Sequence, residues 1–247
     1  MFNNKAREKN ISRASDKLSS ISFFCPAYHD EKNLPMLIPK VHKFLSNIAD
    51  IFEIIIIEDG SPDNTGGVAD ELSLKYSNAR VIHHKNNLGY GATLKQGFQE
   101  SCYEYVMYTD GDYQYDVYEF EPYLNLLYDA DIISGYVDNN RKAVSTVRKL
   151  QSFVFNTIIC VFFVTYVKDI NCSLKIYKRH VLDNIIIRSD SAFIDAEMLL
   201  RAKKANFVIK YFPVTHYQRE AGIANGSKPN VILKTILDMI KFRFGVL

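Results

Sequence analysis

The chain predicts an α/β fold built on a mainly parallel sheet with helices on both faces. Three observations carry this. Short β-branched runs alternate with helical patterns through the first two thirds of the 247 residues. Runs such as Ile54-Ile55-Ile56-Ile57 lack the polar alternation of a half-solvated strand, as expected of a parallel strand covered on both sides. Polar clusters then follow one apolar run after another, at the strand ends where open parallel sheets hold their ligands.

In order along the chain, Ile21–Cys25, Glu53–Ile57, Arg80–His83, Tyr105–Thr109 and Asp131–Ser134 read as strands. Leu34–Ile48, Val68–Tyr76, Ala92–Ser101 and Tyr118–Leu127 read as the helices between them. The first strand runs into Pro26-Ala27-Tyr28-His29-Asp30-Glu31. The second runs into Glu58-Asp59-Gly60-Ser61-Pro62-Asp63-Asn64-Thr65, whose latter part is also good turn and helix-cap chemistry. The third precedes Asn86-Asn87-Leu88-Gly89-Tyr90-Gly91-Ala92, and the fourth precedes Asp110-Gly111-Asp112-Tyr113-Gln114.

That last stretch is the most informative. Side chains at i, i+2 and i+4 of an extended chain share one face. Asp110, Asp112 and Gln114 are thus expected to present hard oxygen ligands together at the end of a buried strand. Such a set suits an octahedral divalent cation already bound to phosphate oxygens, as Mg²⁺ usually is. For a lone Asp-x-Asp, an acidic turn at a strand end is the better reading. Four polar clusters facing one crevice are much harder to assign to turns.

Composition narrows the class. With 47% apolar and 13% aromatic residues the chain is globular and long enough for a large core. A formal charge of +2 gives no general electrostatic case for nucleic acid. Cys25, Cys102, Cys160 and Cys172 are scattered without zinc spacing and read as reduced thiols of a cytosolic compartment. Residues 1–20 are polar and charged, expected as a disordered lead-in without a secretory signal. Residues 21–247 are expected to form a single domain.

Two segments bear on membranes. Leu150–Val167 has about the length of a spanning helix, yet Gln151, Ser152, Asn156 and Thr157 interrupt its first half. A buried or membrane-facing helix is the expectation. In Val231–Phe244, helical periodicity puts Ile232, Leu233, Ile236, Leu237, Ile240 and Phe244 on one face, opposite Lys234, Asp238 and Lys241. That amphipathic C-terminal helix either packs on the core or lies in a headgroup region.

With these motifs in order, the chain resembles the family-2 glycosyltransferases of GT-A type, most closely the dolichyl-phosphate and polyprenyl-phosphate sugar transferases. PAYHDEKNL, EDGSPDNT, NLGYGATLKQGF and TDGDYQYD resemble that family's successive motifs. DIISG, KDINCSLKIY, FIDAEMLLRAKKANFVIKYFPV and HYQREAGIANGSKPNVI continue the series, so the resemblance runs from about Ile21 to Phe244. It implies a GT-A fold, with a nucleotide-sugar half near residues 21–135 and an acceptor half near 136–247.

The resemblance also implies roles. Pro26, Ala27 and Tyr28 line the base pocket, Asp59 accepts from the base and Asp30 from the ribose. Asp110, Asp112 and Gln114 hold Mg²⁺ or Mn²⁺ on the donor diphosphate, and Asp112 and Arg219 are the catalytic candidates. An acceptor phosphate would meet Arg141, Arg148 and Arg219, arginine being suited to bidentate phosphate recognition. The implied acceptor is a polyprenyl phosphate at the cytoplasmic face of a membrane, with a membrane protein as a further partner. A saccharide hydroxyl is the alternative acceptor and needs a general base, for which His216 is a candidate. A catalytically silent sugar-nucleotide-binding or scaffold protein is the alternative of another class. Glu197 corresponds to a family carboxylate in a helix, while Asp195 and Glu197 equally read as acids favoured at a helix N-terminus. Two departures fall on the acceptor side: Gly135-Tyr136-Val137 replaces Gly-x-Arg, and Ser173-Leu174 replaces Gly-Phe.

Overall fold

The computed structural model describes residues 17–138, 146–219 and 228–247. Successive side chains of its central strands enter two apolar layers, one on each face of the sheet. On β1 (Leu18–Ala27), Phe23 and Cys25 join one layer and Phe24 the other. On β2 (Ala49–Glu58), Ile54 and Ile56 point one way and Ile55 and Ile57 the other. The isoleucine run is continuous because both faces are covered. Helices α1 (Leu34–Ile48) and α2 (Thr65–Lys75) and a 3-10 helix (Val117–Tyr128) close the first layer. Helices α3 (Tyr90–Glu100), α4 (Thr146–Phe163), α5 (Arg179–Asn184), α6 (Ile194–Lys204) and α7 (Pro229–Arg243) contribute to the second.

The remaining strands are β3 (Ala79–His83), β4 (Tyr105–Tyr108), β5 (Ile132–Val137), β6 (Lys175–Lys178) and β7 (Ile209–Val214). Among the described residues they form one seven-stranded sheet in the order β3-β2-β1-β4-β6-β5-β7. Strand β6 runs antiparallel to β4 and β5, while the other neighbours are parallel. From β1 the chain steps outward through β2 to β3, then returns to place β4 on the other side of β1. The carboxyl ends of β1 and β4 therefore flank the topological switch point, where such sheets bind ligands.

Several boundaries differ from expectation for local reasons. Strand β1 starts at Leu18, inside the expected lead-in, because Leu18 pairs with Ala49 on β2. The Tyr118–Leu127 segment winds as a 3-10 helix; Pro122 withholds one amide from an α-helical ladder. Helix α4 stops at Phe163, and Val164 takes a left-handed φ of 51°. Among the described residues no helix is long and apolar enough to cross a membrane. All four cysteines are free thiols; Cys25 and Cys172 are buried and Cys102 is exposed.

Candidate active site

The site is assembled where β1 and β4 end side by side. The Gly111 amide donates to the Pro26 carbonyl at 3.0 Å. A Cβ at Gly111 would lie 2.6 Å from that oxygen, so only glycine lets the acidic loop approach β1 this closely. The Asp110 amide donates to Ser173 Oγ at 3.2 Å. Ser173 thus turns a departure from the family pattern into a support for the loop, because a glycine there has no hydroxyl to offer. Asp112 Oδ1 accepts from the Gln114 amide at 3.2 Å, and Asp112 Oδ2 pairs with the Arg219 guanidinium at 2.5 Å.

Gln114 differs from the expectation of one shared face. Strand β4 has ended at Tyr108, the chain turns at Gly111-Asp112, and Tyr113 takes a φ of 57°. Period-two alternation therefore fails beyond Asp110. The Gln114 amide nitrogen donates to Tyr217 O at 3.0 Å, and the Tyr217 amide returns a bond to Gln114 O at 2.9 Å. This strap holds the segment after β7 against the acidic loop and brings Arg219 onto Asp112.

Asp110 is half-buried, and its Oδ1, shut off from solvent, has no hydrogen-bond partner among the described residues. Burial, then the charges of Asp112 and Asp195, push its carboxyl up to about 7; hydroxyls of Ser173 and Tyr90 oppose this. Asp30 is also raised, first by burial, against the bonds from Asn33 and the Tyr28 amide. A divalent cation would relieve this arrangement by offsetting the charge of two crowded carboxylates. Among the described residues, no three or more His, Cys, Asp or Glu side chains are gathered as a complete ligand set. Asp110 and Asp112 nonetheless suit a cation of the Mg²⁺ kind, which commonly takes one or two carboxylates and completes its shell with phosphate oxygens and water.

Behind Asp110 lies a buried polar network. The Lys175 ammonium, fully buried on β6, donates to Asp195 Oδ1 at 2.8 Å, Tyr108 Oη at 2.9 Å and the Ile170 carbonyl at 3.1 Å. Asp195, near the start of α6, also accepts from Tyr108 Oη and, at 3.0 Å, from Tyr90 Oη. Tyr90 opens α3 and reaches Asp110 as well. Strands β4 and β6 and helix α3 meet at this one carboxylate of α6, and Tyr90 links it to the acidic loop. Sequence reasoning did not single out Lys175 or Tyr90; a lysine inside Leu174–Tyr177 reads as a strand's outward residue until its burial is known.

The donor-side residues fall around the same crevice. Asp30 takes bonds from the Tyr28 amide at 3.0 Å and Asn33 Nδ2 at 2.8 Å, and its own carbonyl starts α1. Asp59 is buried and accepts from the Leu88 and Gly89 amides at 2.8 and 2.9 Å and contacts His84 Nδ1 at 2.6 Å. It fixes the loop into α3. His29, which stands where the family has Asn, sits at a φ of 63°, a left-handed conformation that His tolerates better than most residues.

Glu197 is fully buried; it accepts from the Ser189 amide at 2.8 Å and pairs with Arg201 at 2.7 Å. Its geometry is that of a support for the loop before α6. His216 packs edge-on against Tyr115, ring centroids 5.1 Å apart. Arg141 lies outside the described residues. Arg148 lies on α4, and only its backbone is described.

A mostly parallel sheet with paired carboxylates at its switch point is the arrangement expected of a GT-A fold. Residues 22–186, well over half the chain, match the family model described as glycosyl transferase family 2. The chain belongs to that family and is a glycosyltransferase. It is 28% identical over 217 residues to polyprenol monophosphomannose synthase of Mycolicibacterium smegmatis, covering 83% of this chain and 80% of the relative. It is 25% identical over 237 residues to the dolichyl-phosphate β-glucosyltransferase ALG5A of Trichomonas vaginalis, covering 90% and 72%. Identity to glycosyltransferase AglD of Haloferax volcanii is 28% over 204 residues, covering 78% of this chain but only 32% of that longer protein. Among solved structures, glucosyl-3-phosphoglycerate synthase of Mycobacterium tuberculosis in complex with UDP shares the fold, with a TM-score of 0.68 at 15% identity over 93% of this chain and 81% of the other. That enzyme has also been crystallised with Mn²⁺ or Mg²⁺ together with UDP.

Proposed function

We propose that the chain is a metal-dependent, inverting transferase that moves a sugar from a nucleoside-diphospho-sugar to a polyprenyl phosphate. The observation that carries this is the Asp110–Asp112 loop, held by Gly111 against Pro26 at the switch point, with Arg219 on Asp112. Asp110 and Asp112 would hold Mg²⁺ or Mn²⁺, which supplies Lewis-acid stabilisation of charge on the diphosphate. The backbone of Pro26–Tyr28, with Asp30 and Asp59, receives the nucleoside, and Gln114 positions the segment bearing Arg219. Arg219, with Arg141 and Arg148, supplies cations for phosphate oxygens. Diphosphate leaves from one face of the anomeric carbon and the acceptor oxygen attacks from the other, so the configuration inverts.

Two considerations favour a phosphate acceptor over a hydroxyl. A hydroxyl needs a general base, whereas a phosphate monoester is already anionic. Asp195 and Glu197 are both bound to internal cations, Lys175 and Arg201, which leaves them poorly placed as bases. The polyprenol- and dolichyl-phosphate relatives point the same way. On this reading residues about 21–135 form the donor half and about 136–247 the acceptor half of one domain, working peripherally at the cytoplasmic face of a membrane.

The test is incubation with UDP-, GDP- and dTDP-sugars and a short polyprenyl phosphate, with Mn²⁺ or Mg²⁺ and with EDTA. One donor should yield a sugar-phospho-polyprenol of inverted anomeric configuration only when the cation is present. Transfer undiminished in EDTA overturns the metal role, retention of configuration overturns the displacement, and transfer only to saccharide hydroxyls overturns the acceptor.

A further inference from the structure

Helix α7 is seated inside out. Its apolar stripe, the residues Ile232, Leu233, Ile236, Leu237, Ile240 and Phe244, faces outward; Leu233 is 59% and Phe244 74% exposed. The face turned to the protein includes two polar residues, Thr235 and Asp238, both buried. Asp238 Oδ2 accepts from Ser189 Oγ at 3.0 Å, which fixes the helix's rotation. Met239 and Phe242 supply the apolar part of that inner contact. Hydrophobic burial alone would rotate α7 to hide the six-residue stripe. The polar clamp holds it outward instead.

Helix α4 adds to the same surface. Phe163 packs on Phe242 with ring centroids 5.5 Å apart, and Arg243 Nε donates to the Phe162 carbonyl at 3.2 Å, so α4 and α7 are joined near their C-terminal ends. Beyond that contact Val161 is 72% and Val164 86% exposed, and Ile158 borders an open groove of about 310 Å³ with Thr157, Val161 and Phe162. The charges have one sign. Helix α7 carries exposed Lys234, Lys241 and Arg243, and its single acid, Asp238, is buried, with Lys241 Nζ 3.6 Å from its Oδ1.

We propose that α4 and α7 together form a docking face for the headgroup region of an anionic lipid bilayer. Exposed apolar area of this kind marks an interaction surface. Cations interleaved with it match anionic headgroups, with their stems lying along the apolar layer. A second copy of this chain would set like charges against each other, and lysine is depleted in protein–protein interfaces. The face is also tied to the donor loop. Lys234 Nζ donates to the Asp190 carbonyl at 3.3 Å, and the backbone of Asp190-Ser191 abuts Gly91 at the start of α3, where an added Cβ would sit 2.4 Å from Asp190 C. The proposal deepens the lipid-acceptor reading by naming the surface that presents the site to its acceptor.

The test is co-sedimentation with vesicles of phosphatidylcholine, alone or mixed with phosphatidylglycerol, at low and high salt. Binding should require phosphatidylglycerol and weaken with salt. Leu233→Glu and Leu237→Glu should each lower it about ten-fold or more, and Lys241→Glu by about five-fold or more. Circular dichroism and metal-dependent hydrolysis of the sugar nucleotide should be unchanged. Phe244→Glu, at the C-cap of α7, serves as the second apolar variant if a mid-helix change impairs folding. No vesicle binding at low salt overturns the proposal, as does a stable dimer in sedimentation velocity that Leu233→Glu converts to monomer. Transfer to polyprenyl phosphate in detergent micelles reads the acceptor separately: it can persist without vesicle binding, or fail while vesicle binding stands.

Discussion

At the residue scale the decisive group is Asp112, gripped on one oxygen by the Gln114 amide and on the other by Arg219. An amide there keeps the size but loses the charge, so Asp112→Asn should fold normally and lose turnover by about 10²-fold or more. Donor consumption in Mn²⁺ measures this, and full activity of the variant in EDTA would sink the assignment. Asp110 sets a pH dependence. Its folded pKa is raised from 3.8 to about 7, mainly by burial and then by Asp112 and Asp195. The protonated form is favoured by folding, so its contribution to stability is complete below about 3.8 and is lost as pH rises through about 7. Cation binding needs the ionised form, so Mn²⁺-induced thermal stabilisation should grow as pH rises through about 7 and vanish in Asp110→Asn. An equal shift on both sides of that pH counts against the metal role of Asp110. The sequence showed Asp110 and Asp112 because their spacing falls at a strand end in line with three other polar strand ends. It could not show that Gln114 would turn to Tyr217, since that depends on the left-handed Tyr113, nor that Ser173 would hold the Asp110 amide.

At the element scale, the five strands read from apolar runs are present, and the two that escaped notice have physical reasons. Strand β6 is four residues long and carries a buried lysine, which defeats any hydropathy pattern. Strand β7 contains Pro213, tolerated because, among the described residues, β7 is an edge strand bonded to β5 alone. Helix α7 was legible as amphipathic, but its orientation was not, because the Ser189–Asp238 bond that sets it joins residues 49 apart. Lys175 ties β6 to β4 and α6 through Tyr108 and Asp195. Lys175→Met strands the Asp195 carboxylate in the core and should destabilise the protein by about 3–5 kcal/mol. Adding Asp195→Asn removes the stranded charge and should restore a good part of that loss. Urea unfolding of the single and double variants measures both. A double variant no more stable than Lys175→Met alone would show that the network is not held together by this pair.

At the scale of the whole molecule, the crevice is a meeting point of segments far apart in sequence. The end of β1, the loop after β2, the loop into α3, the acidic loop after β4 and the strap at Tyr217 all reach it through backbone or carboxylate bonds. A ligand that spans them stabilises the fold as a unit, by RT ln(1 + [L]/Kd), or about 2.7 kcal/mol at a hundred-fold excess over Kd. For a chain of this size each kcal/mol moves Tm by roughly 2–4 °C, so a nucleoside diphosphate with Mn²⁺ should raise Tm by about 5–10 °C. Either one alone should do much less: the diphosphate meets Asp110 and Asp112 as like charges, and the cation alone lacks the phosphate oxygens that complete its shell. Asp112→Asn should abolish the synergy while leaving the ligand-free Tm nearly unchanged. Differential scanning fluorimetry with UDP, GDP and dTDP in turn also reveals which base the pocket accepts. Equal shifts from the nucleotide with and without Mn²⁺ would place the diphosphate on arginines alone and remove the cation from the donor site.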